Sequence, residues 1–238
     1  MSIKKPRTFS LIINYFECEN EDRKIEYNFC LDENLKNQYV QKIFLFSTKQ
    51  ENPVHDKLKI VRISSEPNVQ DMFLFASKFL SGENCIIANS DIVFDNTLSK
   101  VDNLSDLFLA LTRWEMDGDK NMRLYRPRWG SKMSQDSWIF KSPFVPCEEL
   151  GFPLGYLGAD NRIAFVANKS GLKVINPSKS VITKHIHSSN YRTRAKKKRV
   201  DGEYLFVRPS VFFEVPSYYE GVKVTKGRVA HTRIASNQ

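Results

Sequence analysis

Apolar runs of strand length alternate with polar segments through the first half of the chain. "TFSLIINYF", "VQKIFLFS" and "KLKIVRIS" are rich in β-branched and aromatic residues and predict three strands. Between the first two, "IEYNFCLDENLKN" brings Ile25, Phe29, Leu31 and Leu35 round at roughly helical spacing. "VQDMFLFASKFL" then sets Met72, Phe73, Ala76, Phe79 and Leu80 on one helical face, closed by "SGEN". "CIIANSDIVF" follows as a strand whose continuous apolar run predicts burial on both faces. Strand, helix, strand, strand, helix, strand is the rhythm of an α/β fold: a mostly parallel central sheet flanked by helices.

The second half is less regular. "LFLALTRWE" and "SQDSWIFKSP" predict strands, and a helix starts near Asp160 with Ile163, Ala164 and Ala167 on its apolar side and Gly171 at its end. "KVIN" follows as a strand. In "KSVITKHIHSS" strict alternation puts Val181, Thr183, His185 and His187 on one strand face. Beyond Tyr191 come the basic run Arg192 to Arg199 and a tail with apolar pieces such as "SVFFEV".

With 238 residues and a mass of 27.6 kDa, the chain suits one α/β domain, alone or with a small extension. Its 41% hydrophobic and 12% aromatic content supports a packed core and argues against disorder as the main state. No window approaches the ~20 continuous apolar residues of a bilayer span, so no transmembrane segment is expected. The N-terminal apolar run is short and lacks a small-residue cleavage site, so no signal peptide is expected either. Cys18, Cys30, Cys85 and Cys147 are scattered, which suggests neither a zinc ribbon nor a disulfide framework, and free thiols fit a reducing compartment. The formal charge of +9 favours an anionic partner: nucleic acid, a membrane surface or a phosphorylated small molecule.

Three constellations carry candidate chemistry, each with a plainer alternative. Asn89-Ser90-Asp91 falls at the carboxyl end of a predicted buried strand, where open α/β sheets bind ligands; it is either a surface turn or a metal and phosphate site. Asp160 opens a helix, either as an N-cap or as a carboxylate that the helix dipole keeps ionised and ready to accept a proton. His185 and His187 make a polar strand face, or one or both imidazoles reach one ion. The run Arg192 to Arg199 is a solvated loop, a lid over a diphosphate, or a contact for nucleic acid or anionic lipid. It lacks the interleaved aromatics of a single-strand binder.

Taken in order, these blocks resemble nucleotide-sugar glycosyltransferases of the GT-A fold. "NSD" stands where that family has Asp-x-Asp, with Asn89 in place of the first acid. "GADNRIAFVANKSGLKVI" resembles the Glu-Asp motif of inverting members, with Ala159 in place of the acid before Asp160. Together with "LIINYF", "ALTRWE" and "SQDSWIF", they resemble enzymes of large algal DNA viruses (chlorovirus type) and of bacterial surface-polysaccharide loci. The resemblance covers about 9–192.

It implies a GT-A domain over 1–191, with 192–238 as a basic loop and C-terminal extension on or over the active site. It also implies a metal-dependent, inverting transfer from a nucleotide-diphosphate sugar, a UDP-sugar, to a hydroxyl of a glycan acceptor. Asp91 would hold Mn²⁺ or Mg²⁺ with His185 or His187, and Asp160 would be the base. Tyr15, Arg23, Asn89, Ser90 and Arg113 would contact the donor; Glu115, Asp136 and Trp114 would contact the sugar or acceptor. Nucleic acid is not an expected partner, and the expected location is cytoplasmic, in the host cell if the protein is viral. Two competitors remain. A nucleotidyltransferase would favour a glycine-rich loop after the first strand, which "NYFECENED" lacks; a non-catalytic nucleic-acid-binding module rests on the net charge and the basic run after Tyr191.

Overall fold

The structure, a computed structural model, describes residues 7–15, 18–116, 121–128, 130–189, 191, 199–211, 216, 218–226 and 228–235. The basic run expected to act as a loop or lid lies outside the described residues except for Arg199, as does most of "SVFFEV".

In chain order the elements are β1 (Phe9–Tyr15), α1 (Glu21–Lys36), β2 (Val40–Ser47), β3 (Leu58–Arg62), α2 (Val69–Phe79), β4 (Asn84–Ala88), β5 (Ile92–Phe94), β6 (Leu107–Leu111), β7 (Trp114–Met116), β8 (Met122–Leu124) and β9 (Ser137–Lys141). They continue with α3 (Ala159–Lys169), β10 (Lys173–Ile175), β11 (Thr183–His185), β12 (Gly202–Phe206), β13 (Tyr218–Thr225) and β14 (Arg228–Ala235). A seven-stranded sheet runs β10-β6-β9-β4-β1-β2-β3. All neighbours in it are parallel except β9, which is antiparallel to both β4 and β6.

Alternate residues of the central strands feed two apolar layers, as a pleated sheet requires. Ile12, Ile87, Phe108, Trp138 and Phe140 pack on one face with α2 and α3. Leu11, Ile13, Ile86, Leu109 and Ile139 pack on the other with Leu31 and Leu35 of α1. This is the mostly parallel sheet covered by helices that the rhythm predicts.

The chain leaves β1 toward β2 and β3, then returns through α2 to β4 on the opposite side of β1. The direction of winding therefore reverses between β1 and β4, and a crevice opens at their carboxyl ends. Because β9 is reversed, its start, not its end, lies at this edge: Ser137 pairs with Ala88 and Leu111. The residues just before β9 thus join those just after β4 and β6.

Five sequence expectations are corrected. Phe79, expected on the buried face of α2, is its last residue and is 60% exposed, its ring set 5.1 Å from that of Phe75, centroid to centroid. "CIIANSDIVF" is two strands, not one: β4 ends in the central sheet, Asn89 to Asp91 turn, and β5 joins a second sheet of order β5-β11-β7-β8. "LFLALTRWE" divides the same way into β6 and β7. The strand predicted through His187 stops at His185. On α1, Ile25 and Phe29 are exposed, at 63% and 48%, because the buried face carries Arg23, Glu26, Tyr27, Cys30, Leu31, Asn34 and Leu35. Asn34 on that face bonds the Ile92 carbonyl (2.8 Å) and the Phe94 N–H (2.9 Å), so α1 clamps β5 through a polar side chain.

A three-stranded antiparallel sheet, β12-β13-β14, follows α3. Leu205, Val207 and Tyr219 enter the same apolar layer as Ile163, Phe165 and Val166 of α3, so the helix is covered on two sides.

Candidate metal centre

The second sheet sets the site by register. β11 places His185 opposite Ile92 on one side and opposite Glu115 on the other. Asp91, the residue before β5, therefore lies beside His185, and its carbonyl accepts the Ile186 N–H at 3.0 Å. His187, two residues past the end of β11, turns its ring to 5.3 Å from that of His185, centroid to centroid. One ligand atom each from Asp91, His185 and His187 lies within 4.8 Å of the others.

Asp91 is asymmetric. Its Oδ2 accepts from Arg23 Nη2 and lies 3.1 Å from His185 Nε2. Its Oδ1 is buried and has no hydrogen-bond partner, and neither has the buried Nε2 of His187. A buried polar atom left without a partner costs about 1–3 kcal/mol, so two of them within one three-residue cluster call for an account. A divalent cation would satisfy both, since a carboxylate oxygen and a neutral imidazole nitrogen are ordinary ligands for Mn²⁺. The residues present fit such an ion.

The electrostatics hold these groups in ligand form. Burial pushes the Asp91 pKa up, but His185 and Arg23 outweigh it, and the carboxyl stays well below its usual range. Burial pushes His187 down, with Arg23 and His185 adding to the effect, so its imidazole favours the neutral form. The guanidinium of Arg23 is buried, which works against its charge, yet Asp91 and Glu26 hold its pKa above the usual value.

Local sequence explains the placement of Arg23. Asn20 caps α1 by accepting the Arg23 N–H at 2.8 Å, which starts the helix just past the carboxyl end of β1. Arg23 and Glu26 then stand one turn apart, facing the sheet edge, and pair at 2.6 Å. Expected at a donor phosphate, Arg23 is 5% exposed and binds Asp91, Glu26, the Tyr27 hydroxyl (3.0 Å) and the Ile186 carbonyl (3.0 Å).

A second cluster lies along the same edge. Asp136 Oδ1 accepts from Asn89 Nδ2 (3.0 Å) and Arg113 Nη1 (2.9 Å), and its Oδ2 accepts from Ser134 Oγ (3.2 Å). Arg113 also donates to Glu115 (3.1 Å) and lies 3.9 Å from the centre of the Tyr125 ring. Glu115 Oε1 in turn stands 3.6 Å from His185 Nδ1, linking the two clusters.

The remaining predicted residues surround this edge. Tyr15 ends β1, bonds Asn28 (2.8 Å) and has the Lys49 ammonium 4.2 Å from its ring centre. Ser90 donates to the Asn14 carbonyl. The indole of Trp114 donates to the Ser178 carbonyl at 2.7 Å. Asp160 is not the cap of α3: Gly158 occupies that place in a left-handed conformation (φ +81°), and Asp160 Oδ2 accepts the Gln135 N–H at 3.3 Å. Gln135 precedes Asp136, so Asp160 joins the rim of the second cluster through one backbone step. Sequence reasoning missed Glu26 and the serines it holds; the i, i+3 Arg–Glu spacing was the available signal.

No family model matches the chain, and no curated protein sequence matches it. Among solved structures, the chain is similar to GalNAc-T7 crystallised with UDP, GalNAc and Mn²⁺, at a TM-score of 0.52 and 11% identity over 77% of this chain. It is also similar to a mannosyltransferase from Pyrobaculum calidifontis in complex with GDP-Man and Mn²⁺, at 0.49 and 11% over 79%. The chain spans 44% of the first structure's length and 59% of the second's. The first likeness shows a GT-A-like fold: an α/β arrangement with a largely parallel central sheet flanked by helices. Among the described residues, no helix is long and apolar enough to cross a membrane.

Proposed function

We propose that the protein is a divalent-cation-dependent glycosyltransferase that moves a sugar from a nucleotide-diphosphate donor, a UDP-sugar, to an acceptor hydroxyl of a glycan with inversion. The observation that carries this reading is the meeting of Asp91, His185 and His187, with two unsatisfied ligand atoms, at the winding reversal of a GT-A-like sheet. Mn²⁺ or Mg²⁺ held there would neutralise charge on the departing diphosphate. Asp91 offers Oδ1, and His185 and His187 complete the protein's share of the ligands. Tyr15, Asn89 and Ser90 line the crevice between β1 and β4 and receive the donor. Arg113, Glu115, Asp136 and Trp114 form the wall behind the sugar.

Asp160 takes the proton of the acceptor hydroxyl. The acceptor oxygen then bonds to the anomeric carbon from the face opposite the diphosphate, whose oxygen leaves with the electron pair. In this assignment 1–191 form the transferase domain and 192–238 an extension against it.

The test is a thermal-shift screen of nucleotide sugars with and without Mn²⁺. At least one donor should raise the melting temperature only when the ion is present, because ligands of the native state stabilise it. A panel in which no donor does so overturns the reading. Asp160→Asn keeps an oxygen for the Gln135 N–H and leaves the Gly158 cap untouched, so folding and donor binding should survive. Transfer should fall about 10²- to 10⁴-fold. Anomeric proton couplings of the product report the stereochemistry, and retention would remove Asp160 from the role of base.

A further inference from the structure

Three side chains reach the candidate cation position, but two residues of α1 determine where two of those three stand. Glu26 is buried and accepts four hydrogen bonds. Its Oε1 takes the Ser188 hydroxyl (3.0 Å) and the Ser189 N–H (2.7 Å). Its Oε2 takes the Ser189 hydroxyl (3.1 Å) and Arg23 Nη1 (2.6 Å). Arg23 reaches in two further directions, to the Ile186 carbonyl at 3.0 Å and to Asp91 Oδ2. The contacts at Ile186, Ser188 and Ser189 bracket His187 on both sides. His187 itself lies past the end of β11, where the strand ladder no longer fixes it.

We propose that Arg23 and Glu26 are positioning residues of the metal centre. Glu26 holds the backbone that presents His187, and Arg23 occupies one oxygen of Asp91 so that the other faces the cation. The formal charges support this: Arg23, Glu26 and Asp91 together leave one net negative charge beside two imidazoles, which favours a divalent cation over a bare cavity. Residues behind a ligand set commonly matter in this way, because they orient ligands that would otherwise pay for their own ordering. The proposal rests on the metal reading of Asp91, His185 and His187 and is independent of what group is transferred.

The experiment is Mn²⁺ titration of the full chain followed by electron paramagnetic resonance, with echo-envelope modulation to count nitrogen ligands. Wild type should bind Mn²⁺ with couplings from two imidazoles. Glu26→Ala should weaken binding about 10- to 100-fold and lose one imidazole coupling. In a His187→Ala background the same substitution should add less than about twofold, because its effect runs through His187. Should Glu26→Ala fail to fold, the double substitution Ser188→Ala with Ser189→Ala removes the two hydroxyl donors and leaves the Ser189 N–H bond and the Arg23–Glu26 pair intact. It should weaken Mn²⁺ binding by a smaller factor in the same direction. Wild-type affinity with both nitrogens in Glu26→Ala, or in the serine variant where Glu26→Ala does not fold, overturns the proposal. So does an undiminished Glu26→Ala effect in the His187→Ala background. If wild type binds no Mn²⁺ at all, the metal reading falls and the proposal with it.

Discussion

Two buried arginine–aspartate pairs stand along the same sheet edge, and they are built to opposite ends. Asp136 is 5% exposed and both its oxygens are engaged, by Asn89 and Arg113 on one and Ser134 on the other. Asp91 is 8% exposed, yet its partners crowd onto Oδ2 and leave Oδ1 with none, and in the same three-residue cluster a His187 nitrogen is in the same condition. A fully satisfied buried network rigidifies the structure around it. A network left incomplete on one side carries a standing cost unless something else completes it. The closed cluster therefore frames the edge, and the open one is where a ligand is to be expected.

The comparison breaks first at the closed cluster. Asp136→Ala leaves Asn89 without this acceptor and Arg113 with Glu115 in place of two carboxylates, and should cost about 3 kcal/mol of stability, measured by chemical denaturation, with the same loss whether or not Mn²⁺ is present. A loss below about 1 kcal/mol would mean that the closed cluster frames nothing.

The open cluster should betray itself in acid. Glu26, although burial pushes its pKa up, is drawn down to about 2 by Arg23 and by the Ser188 and Ser189 donors. A pKa lower in the folded than in the unfolded chain contributes stability that is full above the unfolded value near 4.5. That stability is lost as pH falls toward 2. The contribution is up to about 3 kcal/mol, and Glu26→Gln should abolish this part of the acid limb of the stability profile. An unchanged acid limb in Glu26→Gln would show that the carboxylate is not held as described.

The smallest effect is the sharpest. At a Mn²⁺ concentration of about 100 times its dissociation constant, wild type should gain about 2.7 kcal/mol, and Asp91→Asn should gain almost none. Asp91→Asn also takes the carboxylate charge from Arg23 and His185 and lowers the metal-free stability, so the comparison is the Mn²⁺-dependent gain within each chain. Equal Mn²⁺ stabilisation of both chains would erase the distinction between the clusters.

Much of the frame was legible in sequence because apolar strands and helices announce themselves by period. The apolar runs of β1, β2 and β4 and the face of α2 through Met72, Phe73 and Ala76 follow from that. Polar residues inside the fold account for several of the exceptions. On α1 the buried face joins Tyr27, Cys30, Leu31 and Leu35 with Arg23, Glu26 and Asn34, while the apolar Ile25 and Phe29 fall on the opposite side. The same holds for "CIIANSDIVF", where one apolar run hides a passage between two sheets; the interruption at Asn89 to Asp91 marks the crossing. Strand alternation correctly brought His185 and His187 near each other, but the agent that holds His187 is a helix more than 150 residues earlier, beyond any local pattern. In the β12–β14 sheet the outermost strand, β14, is exposed along most of its length, so little apolar patterning marks it, although Tyr204, Leu205, Tyr219, Val222 and Val224 of β12 and β13 are buried.

That last sheet bears on how the chain can be cut. A Cβ at Gly158 would lie 2.2 Å from the Tyr204 hydroxyl oxygen, and Leu205, Val207 and Tyr219 seal the flank of α3 that the central sheet leaves bare. A truncation after residue 191, the natural choice for a minimal domain, would lay that flank open to solvent. Chains shortened this way are candidates for aggregation during expression. Libraries that vary the tail would also disturb the helix that begins at Ala159, because its first turn and the tail share one tightly packed seam.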